Sequence, residues 1–162
     1  MSQATKKLHI LMMAAGTGGH VFPALAVAEE LVNQGAVIHW LGTPNGMENE
    51  LVAKYGHTYH AIDMQGLRGK GLVRLIKLPF MLLKSVLAVK SIIKDNRIDA
   101  VVGFGGYVTA PGGLAAKLCK KPLIIHEQNA IAGMSNKNLA RYADKVLQAF
   151  DGAFDFMADT LG

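Results

Sequence analysis

The chain has 162 residues, 51% hydrophobic and 18% charged, with a formal net charge of +5. That balance excludes an intrinsically disordered chain and sets the size at one domain with a substantial core. The single Cys119 excludes a disulfide framework, and the excess of cations admits an anionic partner without choosing among nucleotide, nucleic acid and membrane surface.

The amino terminus, Met1 to Lys7, leads into a short apolar strand over 8–13. It lacks the long apolar segment and small-residue cleavage site of a signal peptide, which predicts a cytoplasmic address. The glycine-rich run Ala15-Gly16-Thr17-Gly18-Gly19-His20 follows, then a helix over 22–34 closed by Gly35. A strand over 37–42, a helix over 46–56, a strand over 58–64 and a long helix over 72–95 come next. Strands over 99–103, 122–126 and 144–148 alternate with helices over 111–119 and 133–142. Continuous runs such as Ala100-Val101-Val102 and Leu123-Ile124-Ile125 suit strands buried on both faces. The alternation predicts an α/β fold, a Rossmann-like parallel sheet with helices on both faces and ligands outside the carboxyl ends of the strands. No apolar run is long enough to span a bilayer.

A strand, a glycine loop and a helix aim backbone N–H groups and a helix dipole at an anion, usually a phosphate. His20 puts a titratable ring at the same spot. Gly16-x-Gly18 begins a dinucleotide fingerprint, but Val21 holds the third glycine position. The second strand also ends in His39-Trp40-Leu41-Gly42, without a ribose-binding carboxylate. A nicotinamide dehydrogenase is disfavoured on both counts, and the absence of Gly-Lys-Ser/Thr excludes a P-loop. Taken alone, the loop also fits a tight turn with an incidental histidine. Two further segments share its rim, however. They are the glycine-rich stretch from Gly103 to Gly113 and the polar cluster His126-Glu127-Gln128-Asn129. Their convergence predicts a site.

Four motifs in order then carry a resemblance from about Lys7 to about Phe154. They are Gly16-Thr17-Gly18-Gly19-His20-Val21-Phe22-Pro23, Gly66-Leu67-Arg68-Gly69-Lys70-Gly71, Gly105-Gly106-Tyr107 with Gly112-Gly113, and His126-Glu127-Gln128-Asn129. Together they resemble the amino-terminal domain of the MurG family, the UDP-N-acetylglucosamine–N-acetylmuramyl-(pentapeptide) pyrophosphoryl-undecaprenol N-acetylglucosamine transferases. One departure is Ala15, where the family opens the loop with a second glycine; its methyl restricts the loop. The resemblance implies an inverting GT-B glycosyltransferase of two Rossmann-like domains. Such an enzyme moves N-acetylglucosamine from UDP-GlcNAc to the 4-hydroxyl of the muramyl sugar of lipid I, giving lipid II for peptidoglycan, cell shape and division. It implies Thr17, Gly18, Gly19 and Asn129 as UDP-GlcNAc contacts and His20 as the base. It also implies that residues 1–162 form the acceptor- and membrane-side half, with βα units over about 7–148. A carboxy-terminal donor domain lies outside this chain, which is then incomplete for catalysis on its own.

The chemistry of the residues agrees. Inverting transfer needs a base near neutral pH, and an imidazole titrating at about 6.5 suits it. Loop N–H groups and a helix N-terminus stabilise a departing diphosphate. The chain carries no Asp-x-Asp pair to hold a metal on that group, so metal-independent departure without a cofactor is expected. His57 and His60 lack supporting ligands and are expected at the surface. His126 reads as a strand-end residue. Glu127 is left with three readings: orienting His20, binding sugar or holding its loop. Tyr107 is either an acceptor contact or a packed ring, and Gly105 and Gly106 belong to the same acceptor-side or loop-orienting group.

In the segment 66–94, Arg68, Lys70, Arg74, Lys77 and Lys84 surround a dense apolar stretch. At helical spacing Leu75, Pro79, Leu82, Val86, Val89 and Ile93 form one stripe, assigned to the core. Ile76, Phe80, Leu83 and Leu87 form a second, bordered by Lys77 and Lys84. A surplus apolar stripe edged by cations suits shallow docking on an anionic membrane. A wide core face is the alternative, and Pro79 is expected to break or kink the helix. The resemblance implies a membrane-facing patch in this region and so a peripheral position on the cytoplasmic face of the bacterial inner membrane. The expected partners are thus UDP-GlcNAc, lipid I, the membrane surface and cell-wall or division proteins, with no nucleic acid. Two competing readings stay open: a soluble nucleotide-binding module without chemistry, and a cell-wall interaction module.

Overall fold

The computed structural model describes residues 6–64 and 71–155. Eleven elements alternate along these residues: β1 (His9–Ala14), α1 (Gly18–Asn33), β2 (Val37–Gly42), α2 (Met47–Lys54), β3 (Thr58–Ala61), α3 (Leu72–Asp95), β4 (Ala100–Gly105), α4 (Thr109–Leu118), β5 (Leu123–Glu127), α5 (Met134–Ala140) and β6 (Lys145–Gln148). The strands form one parallel sheet in the order β3-β2-β1-β4-β5-β6. This is the doubly wound Rossmann arrangement, whose strand order reverses between β1 and β4.

Alternation along each strand splits the core in two. Ile10, Met12, Ala14, Ile38, Trp40 and Phe104 pack against Val21, Leu25 and Ala28 of α1 and Val52 of α2. Leu11, Met13, Leu41, Val101, Leu123 and Ile125 face the opposite way, onto Val86, Val89 and Ile93 of α3, Ala115 and Ala116 of α4, and Leu139 of α5. Gly112 and Gly113 bring α4 close, because a Cβ at the first would fall on Met13 Sδ and one at the second 2.7 Å from Leu139. The fully buried Trp40 donates its indole N–H to the Ala14 carbonyl at 3.0 Å, pinning the end of β1 where the first glycine loop begins.

Three boundaries and packings differ from the sequence expectation. The helix after β1 starts at Gly18 instead of residue 22. Its first turn is closed by the Thr17 carbonyl, which accepts from His20 N and Val21 N at 3.1 Å each. The α3 stripe assigned to the core is buried only from Val86 onward, with Leu82 half-buried and Leu75 and Pro79 exposed. The reason is length: 24 residues of helix reach about 36 Å, whereas the six-residue β4 covers about 20 Å. The first turns of α3 therefore overhang the sheet. Helix α3 also runs unbroken through Pro79. The motif beginning at Gly66 lies, up to Lys70 and with Arg68, outside the described residues.

His57 and His60 are half-buried, not surface residues. His60 belongs to a ladder across three strands, with His9 Nδ1 3.1 Å from His39 Nε2 and His39 Nδ1 3.2 Å from His60 Nε2. Burial, then the neighbouring His60 and His9, lowers the His39 pKa to about 4. His126 lies in β5 with its ring stacked on Phe104 at 4.8 Å between centroids.

Candidate active site

The carboxyl ends of β1, β4 and β5 carry the three segments singled out in the sequence, and the topology brings them together at the β1/β4 strand-order reversal. The register between these two strands slips at Met13/Ala14, so Ala14 lies opposite Gly105. The slip lets the β1–α1 loop lean on β4, with Ala15 N donating to Gly105 O at 3.4 Å. Gly105 (φ +122°) and Gly106 (φ +94°) both occupy backbone conformations that favour glycine. A Cβ on Gly105 would lie 2.8 Å from the His20 Cδ2 and Nε2 atoms, and one on Gly106 would strike the Ala15 carbonyl oxygen. Neither position has room for a side chain.

His20 is the third residue of α1, so its ring stands beside the helix N-terminus instead of on a free loop. Its Nδ1 lies 3.3 Å from the Ala15 carbonyl oxygen and 3.4 Å from Thr17 Oγ1. The carbonyl only accepts, so this contact selects the tautomer with the proton on Nδ1 and leaves Nε2 as the acceptor nitrogen. The Thr17 carbonyl takes the His20 and Val21 N–H groups, which leaves those of Gly18 and Gly19 at the start of α1 without a partner inside the helix. No acidic residue lies in that turn, so the positive end of its dipole is uncompensated from within.

A cavity of about 270 Å³ opens in front of the ring. It is lined by Ala15, Gly16, Thr17 and His20, by Gly105, Gly106 and Tyr107, and by Glu127 with Gly133 to Asn136 of the β5–α5 connection. A second cavity of about 250 Å³ lies across the loop, between Ala15, Gly16, Thr43, Asn45, Gly46, Met47 and Met64, and shares the exposed Tyr107. Thr17, His20, Gly105, Gly106, Tyr107 and Glu127 thus meet at one place. Gly18 and Gly19 do not line this cavity; a Cβ on Gly18 would face Phe22 at 3.0 Å. Asn129 is exposed and does not line this cavity.

Glu127 is 1% exposed, and its four hydrogen bonds all run to its own connection. Oε1 accepts from Asn129 N (2.9 Å) and Nδ2 (2.8 Å), and Oε2 from Gly133 N (3.1 Å) and Asn136 Nδ2 (2.9 Å). Burial alone pushes the carboxyl up, but these donors outweigh it and hold its pKa below the usual carboxylate range. Of the three readings left by the sequence, this geometry favours holding the loop. It also tethers Asn129 and the start of α5.

Sequence reasoning missed the α5 residues Met134, Ser135 and Asn136, which carry no motif, and the fully buried Glu48. Glu48 accepts from Thr43 N (2.9 Å), Thr43 Oγ1 (2.8 Å) and Gly16 N (3.5 Å), directly under the first glycine loop. The spacing Thr43-x-x-Gly46-x-Glu48 was its only trace. Gly42 and Gly46 leave room for it, since a Cβ at Gly42 would lie 2.8 Å from Glu48 Cγ and one at Gly46 would fall on its carboxylate.

A Rossmann-type sheet with glycine loops and a helix-end histidine at its strand-order reversal defines one half of a GT-B glycosyltransferase fold. The profile of the Glycosyltransferase family 28 N-terminal domain matches residues 10–148, and the chain belongs to that family. It is 71% identical over 149 residues to a protein of Psychrobacter arcticus named UDP-N-acetylglucosamine--N-acetylmuramyl-(pentapeptide) pyrophosphoryl-undecaprenol N-acetylglucosamine transferase, covering 92% of this chain and 41% of that protein. A protein of the same name from Pseudomonas savastanoi is 57% identical over 146 residues, 90% of this chain and 41% of the relative. The crystal structure of Acinetobacter baumannii MurG superposes with a TM-score of 0.81 at 50% identity, covering 91% of this chain and 42% of that one. The chain thus spans about two fifths of the length of these relatives.

Proposed function

We propose that this domain works as part of a larger enzyme that transfers N-acetylglucosamine from UDP-GlcNAc to the 4-hydroxyl of the muramyl sugar of a lipid-linked acceptor. The observation that carries this reading is the His20 ring, seated on Gly105 and facing the cavity where all three rim segments meet. The names of the close relatives supply the substrates.

His20 Nε2 takes the proton of the acceptor hydroxyl as that oxygen attacks the anomeric carbon from the face opposite the leaving UDP, which inverts the centre. Negative charge grows on the departing diphosphate. The N-terminal turn of α1, with Thr17, Gly18 and Gly19, stabilises it through backbone N–H groups and the helix dipole. Asn129 contributes a donor-side contact from its loop, held in place by Glu127. Tyr107, between the two cavities, meets the acceptor. The second domain of the longer relatives supplies the remaining donor contacts in this scheme.

The acceptor's lipid anchor requires the domain to work at a membrane surface. No helix among the described residues is long and apolar enough to cross one. The overhanging turns of α3 instead support shallow docking. Ile76, Phe80 (72% exposed), Leu83 (56%) and Leu87 face solvent, with Arg74, Lys77 and Lys84 exposed around them. An apolar groove of about 490 Å³ continues that surface between Leu82, Leu83 and Val86 of α3 and Leu114 and Leu118 of α4. Apolar side chains ringed by cations suit the headgroup region of an anionic leaflet on the cytoplasmic side. Contacts with cell-wall or division proteins would use the same location.

The direct test is to incubate the intact protein with labelled UDP-GlcNAc and a lipid-linked N-acetylmuramyl-pentapeptide in detergent. The reading expects label in the lipid product. Tight nucleotide binding with no transfer would replace it with the binding-module reading.

A further inference from the structure

Glu48 is fully buried, carries no role in the scheme above, and among the described residues forms no salt bridge. An isolated carboxylate in a core is costly unless several donors converge on it. Here Thr43 supplies two, Gly16 a third, and the first turn of α2 adds the positive end of its dipole. The Tyr59 hydroxyl, which donates to Thr43 O at 2.7 Å, closes the other side. Burial and then the Glu48 charge push the Tyr59 pKa up, so the hydroxyl keeps its proton.

The Gly16 N–H that Glu48 holds and the Ala15 carbonyl beside His20 Nδ1 belong to one peptide unit. In a trans peptide the two groups point in opposite directions from a rigid plane. Fixing the N–H on Glu48 therefore fixes which way the carbonyl points on the far side. We propose that Glu48 is a positioning residue for His20, acting through the Ala15–Gly16 peptide. The carboxylate anchors the N–H, the carbonyl then faces Nδ1, and Nε2 is left free to accept a proton. The arrangement is a carboxylate–histidine pair with one peptide plane between the partners. Hydrogen bonds in series polarise one another, which strengthens the carbonyl as an acceptor.

The tautomer and orientation of the ring rest on geometry alone, while the effect on turnover rests on the transferase reading. Glu48→Gln is a selective probe. Its amide oxygen still accepts from Thr43, but its NH₂ then faces the Gly16 N–H, donor against donor. The experiment uses the intact protein with ¹⁵N-labelled histidine, read by NMR without substrate, followed by steady-state transfer. The wild type is expected to show His20 as the Nδ1–H tautomer. In Glu48→Gln that preference is lost, and kcat falls on the order of tenfold with KM for UDP-GlcNAc within about twofold.

An Nε2–H tautomer in the wild type overturns the proposal, as does a Glu48→Gln variant with unchanged tautomer and kcat. If the variant does not fold, residue-resolved hydrogen exchange on the wild type decides instead. Gly16 is exposed, yet its amide is expected to exchange slowly; fast exchange overturns the proposal. A correct tautomer response in a protein that transfers no sugar would leave the positioning role standing and remove the transferase reading.

Discussion

His20 and Gly105 touch because Gly105 has no side chain: a Cβ there would lie 2.8 Å from both Cδ2 and Nε2 of the ring. The contact joins the first helix to the fourth strand and sets the distance of the imidazole from the rim. It also explains why a backbone at φ +122° persists at this point of β4.

Gly105→Ala therefore has two effects. The left-handed backbone becomes strained by about 1–3 kcal/mol, and the ring is pushed off its seat. Transfer by the intact protein is expected to fall on the order of a hundredfold, against a modest loss in melting temperature. Unchanged kcat at full folded fraction would show that the seat does not matter.

Glu127 anchors its loop, so its removal should be felt in stability first. Glu127→Ala leaves four donors without their acceptor and is expected to cost about 3 kcal/mol, read by urea unfolding. The folded carboxyl titrates below its ordinary 4.5, so its contribution is complete above that value and is lost as pH falls through the lower folded pKa. Stability of Glu127→Ala should accordingly change less than that of the wild type across this acid range.

The histidine ladder gives a second pH dependence at milder acidity. His39 is buried with a pKa of about 4 against 6.5 for a free imidazole. Above pH 6.5 the group contributes no pH dependence. Between 6.5 and 4 the unfolded chain takes up the proton first, so stability drops with falling pH, by about 3 kcal/mol at most. His39→Gln should flatten the unfolding free energy across that window. An unaltered slope would assign it to other groups.

Docking through α3 predicts salt-sensitive co-sedimentation with anionic vesicles. The Phe80→Asp, Leu83→Asp double variant, with its fold confirmed by circular dichroism, should lose roughly tenfold or more in affinity. Equal binding by both proteins would return this face to another role.

Much of this architecture was legible because parallel strands buried on both faces read as short apolar runs between helical segments. Among the described residues, six strands and five helices follow that alternation, and the glycine segments mark the rim. What escaped has local causes. In the sequence, two glycines and Pro23 read as a loop and a first turn and so set the start of α1 late, whereas the Thr17 carbonyl closes a turn already at His20. Periodicity puts Leu75 on the core stripe, yet it does not show where a sheet ends, and Leu75 is exposed. His60 reads as a surface residue because the other rings of its ladder, His39 and His9, are distant in sequence. Glu48 was invisible for the same reason: a carboxylate in a polar stretch looks solvated until Gly42 and Gly46 are seen to make room for it.

The most direct measurement compares GlcNAc transfer to a lipid-linked N-acetylmuramyl acceptor by the intact wild-type protein and its His20→Ala variant. Removing a general base is expected to lower kcat by about 10²–10⁴-fold, with the melting temperature and UDP affinity nearly unchanged. Transfer at near wild-type rate by a folded His20→Ala protein would contradict the account and move the base elsewhere on the rim.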